Sequence, residues 1–377
     1  MKKLFIISAT LLLVVLIFLG VYNFAFKQNS GVELKSANPI ASEVSKVILS
    51  ENKEKITPIS DGAVLGAVVN KKTEKIRYYE LATGFVWESS SDGKEKQQVT
   101  STKVAGLKNV SWSPDRNMVL TMAEKEEKTF FYLYDHVSKK STLLKDGLDN
   151  VVWDNIGTKI FYKYFNADTK EKTLNVSNPD GSDWQKIADV ADRNLSISAV
   201  PLTSTVSFWN FPNAKEETKL RIVGVTGGEI KTILSDKYGA DYLWSPKGDK
   251  ALVSSLQNKD SKSVMLGIVS IDGKYQDLNI PTFVSKCVWA EDNKTLYYAL
   301  PGEMPFDAVM PDDYQNNKFN TSDTFWKMDI ATGEKERIIE AVDIKEKYDS
   351  SSLFLSATED ALYFINKRDH KLYRISL

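Results

Sequence analysis

From residue 42 to residue 377 the apolar positions fall in short runs rich in Val, Ile, Tyr, Phe and Trp, broken by Asp-Gly, Thr-Gly and Asn-Pro turn signals. No stretch sustains a helical period with caps, so the pattern predicts strands and tight turns throughout. The start of the chain differs: residues 4–26 form a nearly unbroken apolar run, and roughly 20 such residues span a bilayer as a helix. The run closes on the bulky Val21-Tyr22-Asn23-Phe24-Ala25-Phe26 rather than on the small residues of a cleavage site, which predicts a retained signal anchor over residues 1–27. Lys2 and Lys3 precede it, and positive charge stays on the cytoplasmic side. Everything beyond Lys27 is therefore expected outside the cytoplasm, on a single-pass membrane protein. Residues 28–41 lack aromatic side chains and apolar periodicity and read as a tether, which leaves 42–377 for the folded domain.

The strand runs repeat. Trp112-Ser113-Pro114-Asp115 has relatives in Trp153-Asp154-Asn155-Ile156-Gly157, Trp244-Ser245-Pro246-Lys247-Gly248 and Trp289-Ala290-Glu291-Asp292-Asn293, with degenerate copies near Val69, Val200 and Leu355. Taken as one phase these start at 69, 112, 153, 200, 244, 289 and 355, spaced by 41 to 47 residues until a last step of 66. A hairpin turn later in each copy checks the phase. It ends 27 to 29 residues after the start in four copies but 44 after it in the sixth, so the sixth carries an insertion of about 16 residues, within 301–321. A period near 44 with four short strands per copy is that of a propeller blade. The expected fold is thus an all-β propeller of seven four-stranded blades, with six as the structural alternative. The seventh copy ends after three strands, 352–355, 361–365 and 371–376. Glu43-Val44-Ser45-Lys46-Val47-Ile48-Leu49 is expected to supply the fourth strand and close the ring.

The Trp-Ser-Pro-Asp and Trp-Ser-Pro-Lys-Gly elements and the Asp-Gly turns resemble the WD40-like repeats of TolB-type propellers of bacterial envelopes, over roughly residues 42–377. That resemblance implies the fold and a cell-envelope setting, while the motif is nearly silent on function. TolB-like proteins are normally released to the periplasm and carry a separate N-terminal domain; here an anchor and a short tether stand in its place.

Charge and rare residues then exclude several classes. Lys plus Arg number 49 against 50 for Asp plus Glu, so nothing electrostatic favours a nucleic-acid partner. The single Cys287 cannot form an internal disulfide, and on the innermost strand of blade six it reads as a buried thiol; a channel-facing reactive thiol would need a nearby cation. His136 and His370 sit at strand ends or turns without metal-ligand spacing and read as solvated loop residues. Neither a G-x-S-x-G elbow nor a phosphate-binding G-x-x-x-x-G-K-[ST] loop occurs, so an enzyme is not the first expectation. The segment from Tyr79 to Trp87 resembles a repeat of quinone-cofactor dehydrogenase propellers, but the other blades do not share it and it reads as a hairpin. Trp112, Trp153, Trp244 and Trp289 recur with the repeat and are assigned to packing between blades.

The insertion is the one feature the repeat does not require, and loops beyond the architecture often carry function. It joins strands two and three of blade six, on the face of the blade-to-blade connections, over the channel mouth. Its Met304, Phe306, Asp307, Met310, Asp312, Asp313 and Tyr314 are the candidate partner-binding residues. The acids, with Asp323, offer oxygen ligands for Ca²⁺, although they lack an EF-hand spacing and solvated carboxylates are the simpler reading; no other cofactor is expected. The apolar members either form a contact patch or tuck the loop onto its own blade. Taken together, the chain is expected to be a membrane-anchored extracytoplasmic module that binds or scaffolds a ligand, a protein or another envelope component. The alternative is a hydrolase or lyase acting on carbohydrate or lactone through channel carboxylates.

Overall fold

The computed structural model describes residues 55–377 apart from Arg193 and Asp260. The anchor and tether expected over residues 1–41 lie outside the described residues, and among those described no helix is long and apolar enough to cross a membrane.

Short runs of β-branched and aromatic residues between turn residues form short strands, which pair in chain order as antiparallel sheets. Blade one covers residues 64–98, blade two 107–143, blade three 148–189 and blade six 287–337. Blades four and five share the long strand Lys231–Trp244. Its first half pairs with Glu217–Gly224 as the outer strand of blade four, and its second half with Lys250–Leu256 as the inner strand of blade five. Five four-stranded sheets and this seven-stranded one make seven blades, which rules out the six-bladed alternative.

The blades share one register. In each, the last residue of the inner strand lies opposite the residue seven positions later: Val69 opposite Ile76, Trp112 opposite Val119, Trp153 opposite Ile160, Ala199 opposite Val206, Trp244 opposite Ala251, Trp289 opposite Leu296 and Leu355 opposite Leu362. The fourth repeat is thus anchored on Ala199, one residue before the position read from the sequence. The four tryptophans at this level are buried and reach back to the preceding blade. Trp112 Nε1 donates to the carbonyl of Gly66 (2.6 Å), Trp153 to that of Ser111 (2.9 Å), Trp289 to that of Leu243 (3.4 Å), and Trp244 to Ser207 Oγ (2.8 Å). Each indole fills a seam with apolar surface while its one polar atom finds a partner.

Because the inner strands run in one direction, all first turns lie on one face and the insertion lies on the other, with the connections between blades. The first-turn face is interlocked. Arg116 Nε donates to the carbonyl of Val69 (3.3 Å), Asn155 Nδ2 to that of Val200 (2.9 Å), Asn293 Nδ2 to Asp249 Oδ1 (3.1 Å) and the Glu291 backbone N–H to Glu359 Oε1 (2.7 Å).

Ring closure corrects an expectation. The outer edge of blade seven is covered by Ile56–Pro58, which pairs with Leu372–Ser376 through Ile56 opposite Ile375 and Pro58 opposite Tyr373. Residues 43–49, assigned that place from their β propensity, lie outside the described residues, and the place itself is taken. A three-residue strand offers no period to read, and its proline is tolerated because an edge strand leaves one row of backbone groups unpaired.

Candidate functional site

The insertion braces the domain through part of its length, and of its candidate partner-binding residues Met310 and Tyr314 are buried rather than exposed. Ala308, Met310 and Tyr314 are buried and pack with Leu256, Val264 and Phe283 of blade five and its exit, while Met304 is half-buried beside them. Tyr314 stacks on Phe283 with ring centroids 4.5 Å apart. Asp312, in the single helical turn Asp312–Gln315, accepts the backbone N–H of Ala214 in blade four at 2.9 Å. Asp313 accepts the Val309 N–H (2.8 Å) and pairs with Lys318 (2.7 Å), a bond that holds its carboxyl below the ordinary range. Two of the carboxylates proposed for Ca²⁺ are therefore engaged in holding the loop, and no group of three or more acids, histidines or cysteines placed to hold a metal ion occurs among the described residues. Of the apolar candidates only Phe306, 95% exposed, stands free, with Asp307 exposed beside it. Met310→Ala is accordingly expected to lower stability by about 2 kcal/mol or more, as large-to-small core changes do, whereas Phe306→Ala should leave the urea midpoint unmoved.

Beneath the brace lies a cluster the sequence reading did not find. Lys286 ends a single 3₁₀ turn before the inner strand of blade six and is wholly buried. Its Nζ contacts Asp323 Oδ2 (2.6 Å), Asp349 Oδ1 (2.7 Å), the Ser350 carbonyl (2.9 Å) and Thr321 Oγ1 (3.1 Å). Asp323 and Thr321 finish the insertion, and Asp349 and Ser350 begin blade seven, so one ammonium ties together three segments. Tyr314 OH donates to Asp349 Oδ1 at 2.7 Å, and Ser350 donates to Asp323 Oδ2 through both its N–H (2.7 Å) and its hydroxyl (2.6 Å). Burial, then the Asp349 carboxylate, push the Tyr314 hydroxyl far above its usual range, so it stays a donor. Asp323, read as an oxygen ligand for Ca²⁺, is instead neutralised by lysine.

An open cavity of about 420 Å³ lies between the inner strands of blades two and three and reaches blade four, on the face that carries the connections. Leu120, Phe131, Val151 and Leu195 make its buried apolar floor; Asn109, Asp149, Asn150 and Asn194 are its polar groups, and Phe211 stands half-exposed at its edge. The inner strands bulge here, between Leu107 and Asn109 and between Asp149 and Val152, and Asn150 takes a φ of 50°. Bulges re-aim side chains away from simple alternation, which is how polar residues come to share a pocket with core residues. Asn109 Oδ1 accepts the Val110 N–H (2.7 Å), while its amide NH₂ has no protein partner among the described residues. Asp149 pairs with Lys163 at 3.0 Å. On blade five, one repeat level with Asn109 and Asn150, Asp241 accepts Trp209 Nε1 and the Tyr242 N–H, both at 3.0 Å, and burial pushes its carboxyl up to about 6.

The remaining candidates fall as follows. Cys287 is buried, its Sγ 3.3 Å from the Phe283 carbonyl, and burial raises its thiol well above the usual range. His370 is an exposed turn residue. His136 is not a solvated loop residue: it stacks on Trp112 and meets Tyr134 edge-on, and burial, helped by the charge of Arg77, lowers it to about 4. The segment from Tyr79 to Trp87 is the turn between Ile76–Glu80 and Val86–Ser89, whose Gly84 at φ 71° could not carry a Cβ without meeting the Val104 carbonyl at 2.4 Å.

No protein-family model and no curated protein matches this sequence. Solved structures do share the architecture. The oligogalacturonate lyase of Vibrio parahaemolyticus is similar over 87% of this chain and 94% of its own, with a TM-score of 0.61 and 11% identity. The β-propeller domain of the Trilobed protease from Pyrococcus furiosus is similar over 83% of this chain and 95% of its own, with a TM-score of 0.55 and 11% identity. TolB from Acinetobacter baumannii is similar over 57% of this chain and 53% of its own, with a TM-score of 0.43 and 15% identity. The chain is a β-propeller. At these identities the likeness reaches the fold alone.

Proposed function

We propose that this chain is an extracytoplasmic binding module, held at a membrane by residues 4–26, which takes an uncharged polyhydroxylated ligand in the cavity at the mouth of its channel. The observation that carries this reading is the pocket itself, in which three asparagine amides rim an apolar floor of buried core residues. An amide both donates and accepts, so a rim of amides suits hydroxyl groups that do the same, while the floor and Phe211 suit the apolar face of a sugar ring. The one carboxylate, Asp149, is paired with Lys163, which leaves the pocket little net charge to attract an ion.

Calorimetric titration of the full chain with a panel of neutral oligosaccharides tests it. Asn109→Ala and Phe211→Ala should each weaken binding about tenfold, equivalent to about 1.4 kcal/mol, with an unchanged melting temperature because both side chains reach the surface. Native affinity retained in both variants, or binding to none of the panel, defeats the reading.

A further inference from the structure

We infer that the chain has a second binding site, in the seam between blades one and two, for a small flat aromatic compound that carries a hydrogen-bonding oxygen. The repeat shows where the room for it comes from. On the second strand of each blade, two residues beyond the one opposite the end of the inner strand, a buried side chain packs against the preceding blade. It is aromatic in five of the seven blades, as Tyr78, Tyr162, Phe208, Tyr298 and Phe364, and is Val253 in blade five. In blade two it is Thr121, and the small Ala123 follows on the same face. The seam there holds a cavity of about 310 Å³, whose lining includes Tyr79 of blade one, Thr121, Ala123, Phe130, Tyr132 and Tyr134 of blade two, and the connection 100–105 between them. Lys103 and Lys125 border it from exposed positions.

The walls are fixed from both sides. The Val104 N–H donates to the Gly84 carbonyl (3.1 Å) and Thr100 Oγ1 accepts the Val86 N–H (3.1 Å), which holds the connection to blade one; the Glu124 N–H donates to the Gly106 carbonyl (2.9 Å) and ties it to blade two. Phe130, Tyr132 and Tyr134 alternate along one strand and so share the face turned to blade one, with Phe130 paired to Ala123 and Tyr132 to Thr121. Beside such small partners the three rings stay half-buried, and their uncovered surface suits another ring, met offset or edge-on. Two hydroxyls complete the site. Tyr79 and Thr121 are 2% and 1% exposed, and neither hydroxyl has a hydrogen-bond partner among the described residues. Neither oxygen is sealed within the core, so each can meet a ligand in the space it borders. Burial, and after it the neighbouring Tyr134, raise the Tyr79 hydroxyl above its ordinary range, so it stays protonated. A buried hydroxyl without a partner is unfavourable, and a ligand oxygen that accepts from one and donates to the other satisfies both.

The probe is p-cresol, the side chain of the tyrosine that blades one, three and six place at this position, set against toluene, which lacks the oxygen, and cyclohexanol, which lacks the flat ring. Ligand-observed NMR on the full chain in non-ionic detergent, with every variant in the same micelles so that partitioning cancels, should show p-cresol bound by the native chain and the other two bound about tenfold more weakly. Thr121→Phe restores the ring of the other blades and should weaken p-cresol by about tenfold or more through steric exclusion, without lowering the melting temperature. Tyr79→Phe keeps the shape of the cavity and should abolish the preference for p-cresol over toluene; it decides the matter should the larger side chain at 121 disturb folding. A native chain that binds none of the three or shows no preference for p-cresol, native affinity in a folded Thr121→Phe, or a preference that survives in Tyr79→Phe overturns the site. Tyr79 does not line the channel-mouth cavity, so Tyr79→Phe should bind neutral oligosaccharides as the native chain does, and failure here leaves the channel-mouth reading standing.

Discussion

Lys286→Met is expected to lower the stability of the domain by about 3–5 kcal/mol, the effect of removing one partner from a buried ion pair. Methionine nearly matches the length of the lysine stem, so lost packing contributes little. What remains is two carboxylates, Asp323 and Asp349, in a site where neither side chain reaches solvent. The surviving donors, Ser350, Thr321 and Tyr314, cannot neutralise them. Adding Asp323→Asn to Lys286→Met should therefore recover part of the loss, whereas two independent defects would add. The pH dependence has a definite sign. Burial alone would raise the Asp349 carboxyl, but the Lys286 charge and the hydrogen bonds from Lys286 and Tyr314 outweigh it and hold the group below its ordinary value. Its contribution is then fully present above the unfolded value of about 3.9 and disappears as the pH falls through the lower folded one. Native protein should lose stability across that acid window more steeply than Lys286→Met, which urea midpoints measured from pH 7 downward will show. Equal midpoints for the two proteins at pH 7 would mean that the cluster holds nothing together.

Repetition made the fold legible. Trp112, Trp153, Trp244 and Trp289 mark a place where every blade needs bulk, and the constant first turn behind them keeps even the degenerate copies in phase. Where the seam is filled by Ala199 rather than tryptophan, the phase was misread by one residue, because a small side chain marks nothing. The insertion was visible as an excess of length, but length carries no information about direction. Met304, Phe306 and Met310 look alike in sequence, and only contact with Leu256, Val264 and Phe283 separates the exposed one from the buried one. Lys286 left a trace that went unread: it is a lone charge in Thr282-Phe283-Val284-Ser285-Lys286-Cys287-Val288-Trp289, a segment otherwise suited to burial. A buried charge demands opposite partners, and these lie 37 and 63 residues away in Asp323 and Asp349, a pairing that requires the ring. The channel-mouth amides were hidden for a related reason, since β-bulges shift the alternation by which inward positions are counted.

Removing residues 55–61 should destabilise the propeller severely, while removing 42–50 leaves the closing strand in place and should not. Ile56 and Ile59 are almost wholly buried at the edge of blade seven. Burying such a side chain contributes about 1.5–3 kcal/mol, so the two together account for about 3–6 kcal/mol. Backbone pairing adds to this: the Ile59 N–H donates to the Leu372 carbonyl at 2.8 Å, and Ser60 Oγ accepts the Leu372 N–H at 2.9 Å. Deletion also bares the backbone of Leu372–Ser376, an edge that can template pairing with another chain. The shorter domain should consequently melt lower and also self-associate, which light scattering on dilute samples would detect. Comparison of the two deletions isolates the contribution of Ile56–Pro58 from that of the segment before it. Should the two melt alike and both stay monomeric, the ring is closed by something other than this strand, and the pairing of Ile56 with Ile375 is not what holds blade seven against blade one.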